Sequence, residues 1–174
     1  GHRHPKVIAA LEQQIQKHLH VMVYGEFVQD AQQALARQLL EVLPSNLDGV
    51  YVVNSGTEAI EAALKLAKRA TGRTELIAFK GSYHGSTHGS MSVSANEVKK
   101  IAFRPLLPDV RFLRHNELAD LAQITTKTAG VIIETVQGDA GVRKPDLDFL
   151  QALRARCTEV GALLIFDEIQ CGMG

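Results

Sequence analysis

Ala162-Leu163-Leu164-Ile165-Phe166-Asp167-Glu168-Ile169-Gln170 is an unbroken apolar run that ends on two carboxylates. Gly130-Val131-Ile132-Ile133-Glu134 has the same form: continuous apolar residues, then an acid. Strands with one wet face alternate apolar and polar residues. Strands buried on both faces do not, and such burial is the mark of a parallel sheet covered by helices. These two stretches therefore decide the fold class: α/β, with a mostly parallel sheet and helices on both faces.

The rest of the chain fits that reading. Leu76-Ile77-Ala78-Phe79 reads as a third strand, Val110-Arg111-Phe112 as a fourth and Gly49-Val50-Tyr51-Val52-Val53 as a fifth. Between them lie helical patterns. Pro5 stands where it opens a helix whose face carries Val7, Ala10, Leu11 and Ile15. Asp30 is placed to cap a second helix, striped by Leu35, Leu39, Leu40 and Leu43 and stopped by Pro44. Residues 56–70 form an alanine- and leucine-rich helix that Gly72 ends. Asn116 is expected to cap a short helix through Leu121, and residues 146–160 form the last helix.

Composition narrows the function. The chain has 174 residues, 45% of them apolar, which suits one ordinary domain. Nineteen basic and nineteen acidic residues give zero formal charge, so nothing favours nucleic acid or an anionic membrane. No apolar run reaches the roughly 18 residues of a membrane span, and the first residues lack an apolar signal core. Cys157 and Cys171 have no metal-ligand spacing, and two cysteines in such a chain suggest reduced thiols in the cytoplasm. No metal is expected.

In open sheets of this kind, ligands sit beyond the carboxyl ends of the strands. Four such ends carry candidate chemistry. Asn54-Ser55-Gly56-Thr57-Glu58 opens a helix, where unpaired N–H groups and a partial positive charge suit a phosphate. Ser55 and Glu58 are equally an ordinary capping box. At Lys80-Gly81-Ser82-Tyr83-His84-Gly85, Tyr83 is able to lie flat on a planar ring, or is simply a half-buried loop tyrosine. His84 either tunes a ring or satisfies a backbone carbonyl. Glu134 ends a buried strand and needs a partner, a plain ion pair included. Apolar residues followed by Asp167-Glu168 also describe the magnesium-binding strand of P-loop ATPases, but the chain has no G-x-x-x-x-G-K-[ST] loop.

Taken in order and spacing, these motifs resemble the class III (ω-amino-acid) aminotransferases, over essentially the whole chain. Gly1-His2-Arg3-His4-Pro5 is similar to the family's G-H-x-H-P, and Ser55-Gly56-Thr57-Glu58-Ala59 to its S-G-T-E-A phosphate loop. Tyr83-His84-Gly85 resembles its aromatic-His-Gly segment. Glu134-Thr135-Val136-Gln137-Gly138-Asp139 resembles E-P-[VI]-Q-G-E, and Asp167-Glu168-Ile169-Gln170 matches D-E-[VI]-Q.

The resemblance implies the large domain of a fold-type I enzyme dependent on pyridoxal 5′-phosphate (PLP). It would divide the chain into a remnant of the N-terminal segment, 1–24, and part of the PLP-binding domain, 25–174. The backbone of Gly56 and Thr57, with Ser55, would hold the phosphate. Tyr83 would stack on the pyridine ring, and Asp167 would pair with its nitrogen. Gln170 would bond the phenolic oxygen, with His84 and Glu134 in the same cofactor site. Asp139 and Tyr24 would serve the substrate, Asp139 facing an arginine of the second half.

The implied reaction is transfer of an amino group from an amino-acid or ω-amine donor to a 2-oxo acid or semialdehyde, in a cytoplasmic homodimer. The family's Schiff-base lysine lies beyond D-E-x-Q and is absent from this chain, so the 174 residues as given are expected to be inactive. Departures from the family pattern bear on substrate. Ser86 stands where some members carry a carboxylate-gripping arginine, Thr135 replaces proline, and Asp139 is shorter than glutamate. The run from Tyr83 to Ser94 resembles the diaminopelargonate branch. Another PLP reaction, such as an aminomutase, and a noncatalytic α/β binding module are the rival readings.

Overall fold

The computed structural model describes residues 2–19, 21–22 and 25–172. The chain packs as two compact units, Gly1–Val52 and Val53–Gly174. The first holds two helices. α1 spans Pro5–Lys17, with Pro5 in its first turn and the His4 side chain accepting from Lys6 N. α2 spans Asp30–Val42. Asp30 is its first helical residue, not its cap; Gln29 takes the cap position without a side-chain hydrogen bond. The carboxylate still stands at the positive end of the helix. Neither helix buries a residue.

The expected strand at 49–53 does not form: these residues join no ladder among the described residues, and Tyr51 is 80% exposed. Their β-branched and aromatic composition fits a strand, but a strand needs a neighbour for its N–H and C=O groups.

The second unit alternates helix and strand. α3, Gly56–Thr71, starts at the Ser55 cap and ends at Gly72, whose φ of 67° is the left-handed conformation that closes a helix. β1, Glu75–Phe79, follows. Two short helices come next, α4 at His88–Val93 and α5 at Glu97–Lys100, then a 3-10 turn at Ile101–Phe103. None of these was legible as a pattern, because each is shorter than two helical periods. β2 spans Val110–Leu113, a 3-10 segment spans Leu118–Gln123, and β3 spans Thr128–Glu134. α6, Leu147–Val160, and β4, Leu163–Asp167, complete the order. Asn116 does not cap a helix. It sits at φ 61°, which asparagine tolerates better than most residues, and its Oδ1 accepts from Asp146 N.

All four strands pair in parallel, in the order β2-β1-β3-β4. The inner strands β1 and β3 are buried on both faces, as their apolar runs require. β4, expected to be covered likewise, stands at the sheet edge with Leu163 and Phe166 exposed, because only β3 flanks it among the described residues. Leu76 and Ala78 of β1, with Ile132 of β3, pack against Ile60 and Leu64 of α3 and Val93 of α4. Ile77, Phe79, Val131 and Ile133 point the other way, onto Phe149, Leu153 and Cys157 of α6 and Leu121. Phe79 meets Phe149 edge to face, with centroids 5.7 Å apart. Each such buried side chain contributes about 1.5–3 kcal/mol before entropy is subtracted. Gly130 lets α3 approach closely, since a Cβ there would lie 3.0 Å from the Ala67 methyl.

Polar ties fix the layers. Arg73 Nη1 donates to the carbonyls of Thr128, Val160 and Gly161, each at 3.0 Å, joining the start of β3 to the end of α6. Past β2, Asp120 accepts from Arg114 N and Nε through Oδ2 and from Nη2 through Oδ1. The guanidinium and backbone N–H of Arg114 hold the Asp120 carboxyl down at about 2. A lowered carboxyl contributes stability above its ordinary range and loses it as pH falls toward the folded value. The urea midpoint of the wild type is therefore expected to fall between about pH 4 and pH 2 by more than that of Asp120→Asn. Parallel acid profiles for the two proteins would contradict this.

Candidate active site

β1, β3 and β4 end side by side. The parallel register sets Glu134 of β3 directly beside Asp167 of β4, and the chain leaving β1 turns across both ends. That turn carries Ser82, Tyr83, His84 and Gly85. Gly56 and Thr57, Tyr83 and His84, and Glu134, Asp167 and Gln170 all line one cavity of about 200 Å³. Seven of the ten residues picked out from sequence thus converge. Ser55 is not in the lining: it caps α3, its Oγ accepting from Glu58 N at 3.3 Å. Asp139 lines a neighbouring cavity instead. Tyr24 lies outside the described residues.

The buried centre is a carboxylate–imidazole pair. His84 Nδ1 lies 2.7 Å from Asp167 Oδ2, both side chains being almost fully buried. With Asp167 ionised, Nδ1 carries the donated hydrogen. Asp167 Oδ1 accepts from Ile169 N at 3.1 Å. Two oxygens offer about four lone-pair sites, so capacity remains for a further donor. His84 is also held from behind, its backbone N donating to Ser94 Oγ at 2.8 Å. Its Nε2 is buried with no partner among the described residues.

Glu134 is not in a plain ion pair. Its Oε1 accepts from Tyr83 N at 2.9 Å and its Oε2 from Gly138 N at 3.4 Å. Burial pushes its pKa up, and neighbouring Asp167 adds to the rise against these two hydrogen bonds and the nearby His84. The carboxylate therefore sets the height of Tyr83 and fastens the loop after β3.

At the mouth of α3, the N–H groups of Gly56 and Thr57 have no partner among the described residues. The Thr57 hydroxyl is taken, lying 2.8 Å from Thr87 Oγ1 and 2.6 Å from Ser90 Oγ. Glu61 Oε1 closes this network, accepting from Thr87 Oγ1 at 2.5 Å and Gly89 N at 2.8 Å. A carboxylate there faces the positive end of α4. Sequence inspection missed Glu61, Thr87 and Ser90, because no spacing rule links positions so far apart. Val136, Ile169 and Cys171 also line the cavity unforeseen. Gly56 has a packing duty as well, since a Cβ on it would come within 2.8 Å of the Ile169 side chain.

An α/β domain with a cavity at the carboxyl edge of its sheet, walled by a helix N-terminus and a buried acid, has the layout of domains that hold phosphorylated cofactors. The family model of class-III aminotransferases matches residues 1–174, and the chain belongs to that family. It is 41% identical over 174 residues to a [LysW]-aminoadipate semialdehyde/glutamate semialdehyde transaminase of Sulfurisphaera tokodaii, covering all of this chain and 44% of that protein. It is 42% identical over 175 residues to an acetylornithine aminotransferase of Lactiplantibacillus plantarum, covering all of this chain and 43% of that one.

Among solved structures, an amine transaminase from an uncultivated Pseudomonas species, in its PLP-bound form, superposes with a TM-score of 0.90 at 27% identity. That match covers all of this chain and 46% of the other. The chain thus spans less than half the length of the curated relatives it matches. The fold is that of the fold-type I aminotransferases, and the family implies PLP as cofactor.

Gly85 offers a direct check of the loop. Its φ is 123°, and a Cβ would fall 2.6 Å from Thr57 Oγ1 and 2.7 Å from Ser90 Oγ. Gly85→Ala is expected to cost about 1–3 kcal/mol, read as a lower urea midpoint; an unchanged midpoint would show that the loop is not held as described.

Proposed function

We propose that this cavity binds PLP and that the parent enzyme transfers amino groups between an amino donor and a 2-oxo acid or semialdehyde. The observation that carries the reading is the meeting of Asp167, Tyr83 and the α3 N-terminus around one cavity. The residues fit the coenzyme on their own chemistry. Two unpaired N–H groups at a helix start suit a phosphate dianion, and a buried carboxylate with spare lone pairs suits a protonated ring nitrogen.

Each residue then has a task. Gly56 and Thr57 donate backbone N–H groups to the phosphate, while Ser55 orients that turn by capping α3. Asp167 accepts from the ring N–H and keeps the proton there. His84 donates to Asp167 and fixes the plane of its carboxylate, acting as a positioning residue. Tyr83 covers one ring face and keeps water off it. Glu134 holds Tyr83 at the right height. Gln170 donates its amide to the phenolic oxygen. PLP, when bound, supplies an electron sink that makes a substrate Cα–H bond acidic. Tyr24 and Asp139 belong to the substrate side.

No lysine lines the cavity among the described residues, so the 174-residue chain by itself binds the coenzyme without turning over substrate. Val7, Leu11 and Ile15 of α1, each more than half exposed, support pairing of two copies, because an apolar stripe of this kind needs cover. Cys157 and Cys171 are free thiols, which supports a reducing compartment such as the cytoplasm.

Titration of the purified chain with PLP, followed by absorbance and fluorescence, tests the site. Binding is expected to be saturable and to be lost for pyridoxal, which has no phosphate. Asp167→Asn removes a charge-assisted hydrogen bond and is expected to weaken PLP binding about 10- to 100-fold. Failure of the wild type to bind, or equal binding by Asp167→Asn, would overturn the assignment. The same preparation, free of host enzyme, is expected to show no transamination; measurable turnover would refute the inactivity of the isolated chain.

A further inference from the structure

Asn96 caps α5, its Oδ1 accepting from Val98 N at 3.1 Å and Lys99 N at 3.4 Å. The cap fixes where two consecutive lysines leave the backbone, and their environments differ. Lys100 is buried. Its Nζ donates to Ser94 O at 2.8 Å, pairs with Glu97 Oε1 at 3.1 Å and lies 4.6 Å from the centroid of Phe112. That ammonium is fully engaged by the protein. Lys99 is about half exposed. Its Nζ lies 3.2 Å from Asp139 Oδ2, also about half exposed, and 5.3 Å from the centroid of Tyr83.

Lys99 and Asp139 line a second cavity of about 550 Å³, together with Ser86, Met91 and Phe103. Its volume falls in the range of small-molecule sites. Tyr83, Gly85 and Ser86 are common to this cavity and the one described above, so the two spaces adjoin across the tyrosine. Met91 and Phe103 give the second cavity apolar surface, and two lysines reach its wall: Lys100, whose ammonium Ser94 O and Glu97 already engage, and Lys99, whose ammonium is opposed by the half-exposed Asp139 carboxylate. Ser86 brings a hydroxyl and no charge.

A half-exposed ion pair contributes only about 0–1 kcal/mol. An incoming carboxylate therefore replaces Asp139 at Lys99 with little loss. The tyrosine face beside Nζ keeps the ammonium in place during the exchange, because a cation over an aromatic ring is attracted to it.

We propose that Lys99 receives the carboxylate of an aliphatic substrate in this second cavity, with Asp139 as the counter-ion that the substrate displaces. Methylene groups lie against Met91 and Phe103, and the reacting end points past Tyr83 toward the first cavity. The role of substrate site rests on PLP occupying that first cavity; the recognition of a carboxylate by Lys99 does not.

NMR-detected titrations with hexanoate and with its neutral counterpart hexanamide separate the two claims, using the wild type, Lys99→Met, Lys99→Arg and Asp139→Asn. Hexanoate binding is expected to weaken about two- to fivefold in Lys99→Met. It stays near wild type in Lys99→Arg, where the charge remains, and strengthens in Asp139→Asn, where the competitor is gone. Hexanamide binding does not follow the charge at position 99. Absent binding of hexanoate by the wild type, equal binding by Lys99→Met, or no preference for hexanoate over hexanamide overturns the proposal. PLP titration of the same samples reports on the cofactor separately. Charge-dependent hexanoate binding without PLP binding refutes the cofactor reading and leaves Lys99 as a carboxylate site. PLP binding with no hexanoate discrimination refutes the role of Lys99 alone.

Discussion

His84 Nδ1 sits 2.7 Å from Asp167 Oδ2 in a setting from which both side chains are almost excluded from water. That contact closes the turn after β1 over the end of β4. It depends on a prior constraint, the parallel register that brings Glu134 and Asp167 abreast. Two carboxylates held together in a dry place repel, and each needs donors. Asp167 takes the imidazole and Ile169 N, while Glu134 takes Tyr83 N and Gly138 N. Satisfying them is what folds the loops after β1, β3 and β4 into one cavity wall.

A second layer of polar contacts supports the start of α3. Thr57, Thr87 and Ser90 share their hydroxyls, and Glu61 draws the start of α4 against α3. The side chain of Thr57 is therefore occupied, and the group it leaves for a ligand is its backbone N–H. Glycine serves the same design by permitting close approach: Gly85 against Thr57 and Ser90, and Gly56 beneath Ile169. Both glycines act as packing devices.

The neighbouring cavity shows the same economy. A family position expected to face an arginine of the second half is Asp139, which here pairs with Lys99 of its own unit. Nothing in the spacing of residues 99 and 139 announces this. The meeting is made by the Asn96 cap on one side and the turn following Gln137 on the other.

Sequence alone determined the fold class, because the apolar runs of β1 and β3, without alternation, suit strands covered by helices on both faces. It also determined which residues stand at strand ends, since each run stops on its own polar residue: Glu134 and Asp167 were legible for this reason. Ser55 was legible as a cap, and it is one. Tertiary structure alone decided the rest. Residues 49–53 have strand composition, yet pairing is a property of two segments and no partner strand stands beside them among the described residues. Asn116 looked like a cap and instead bonds Asp146 N, thirty positions on in the chain. The His84–Asp167 contact, the Glu61 network and the Lys99–Asp139 pair all join residues distant in sequence. Local propensity acts over a few residues, whereas a hydrogen bond between buried groups depends on where the whole sheet has carried them.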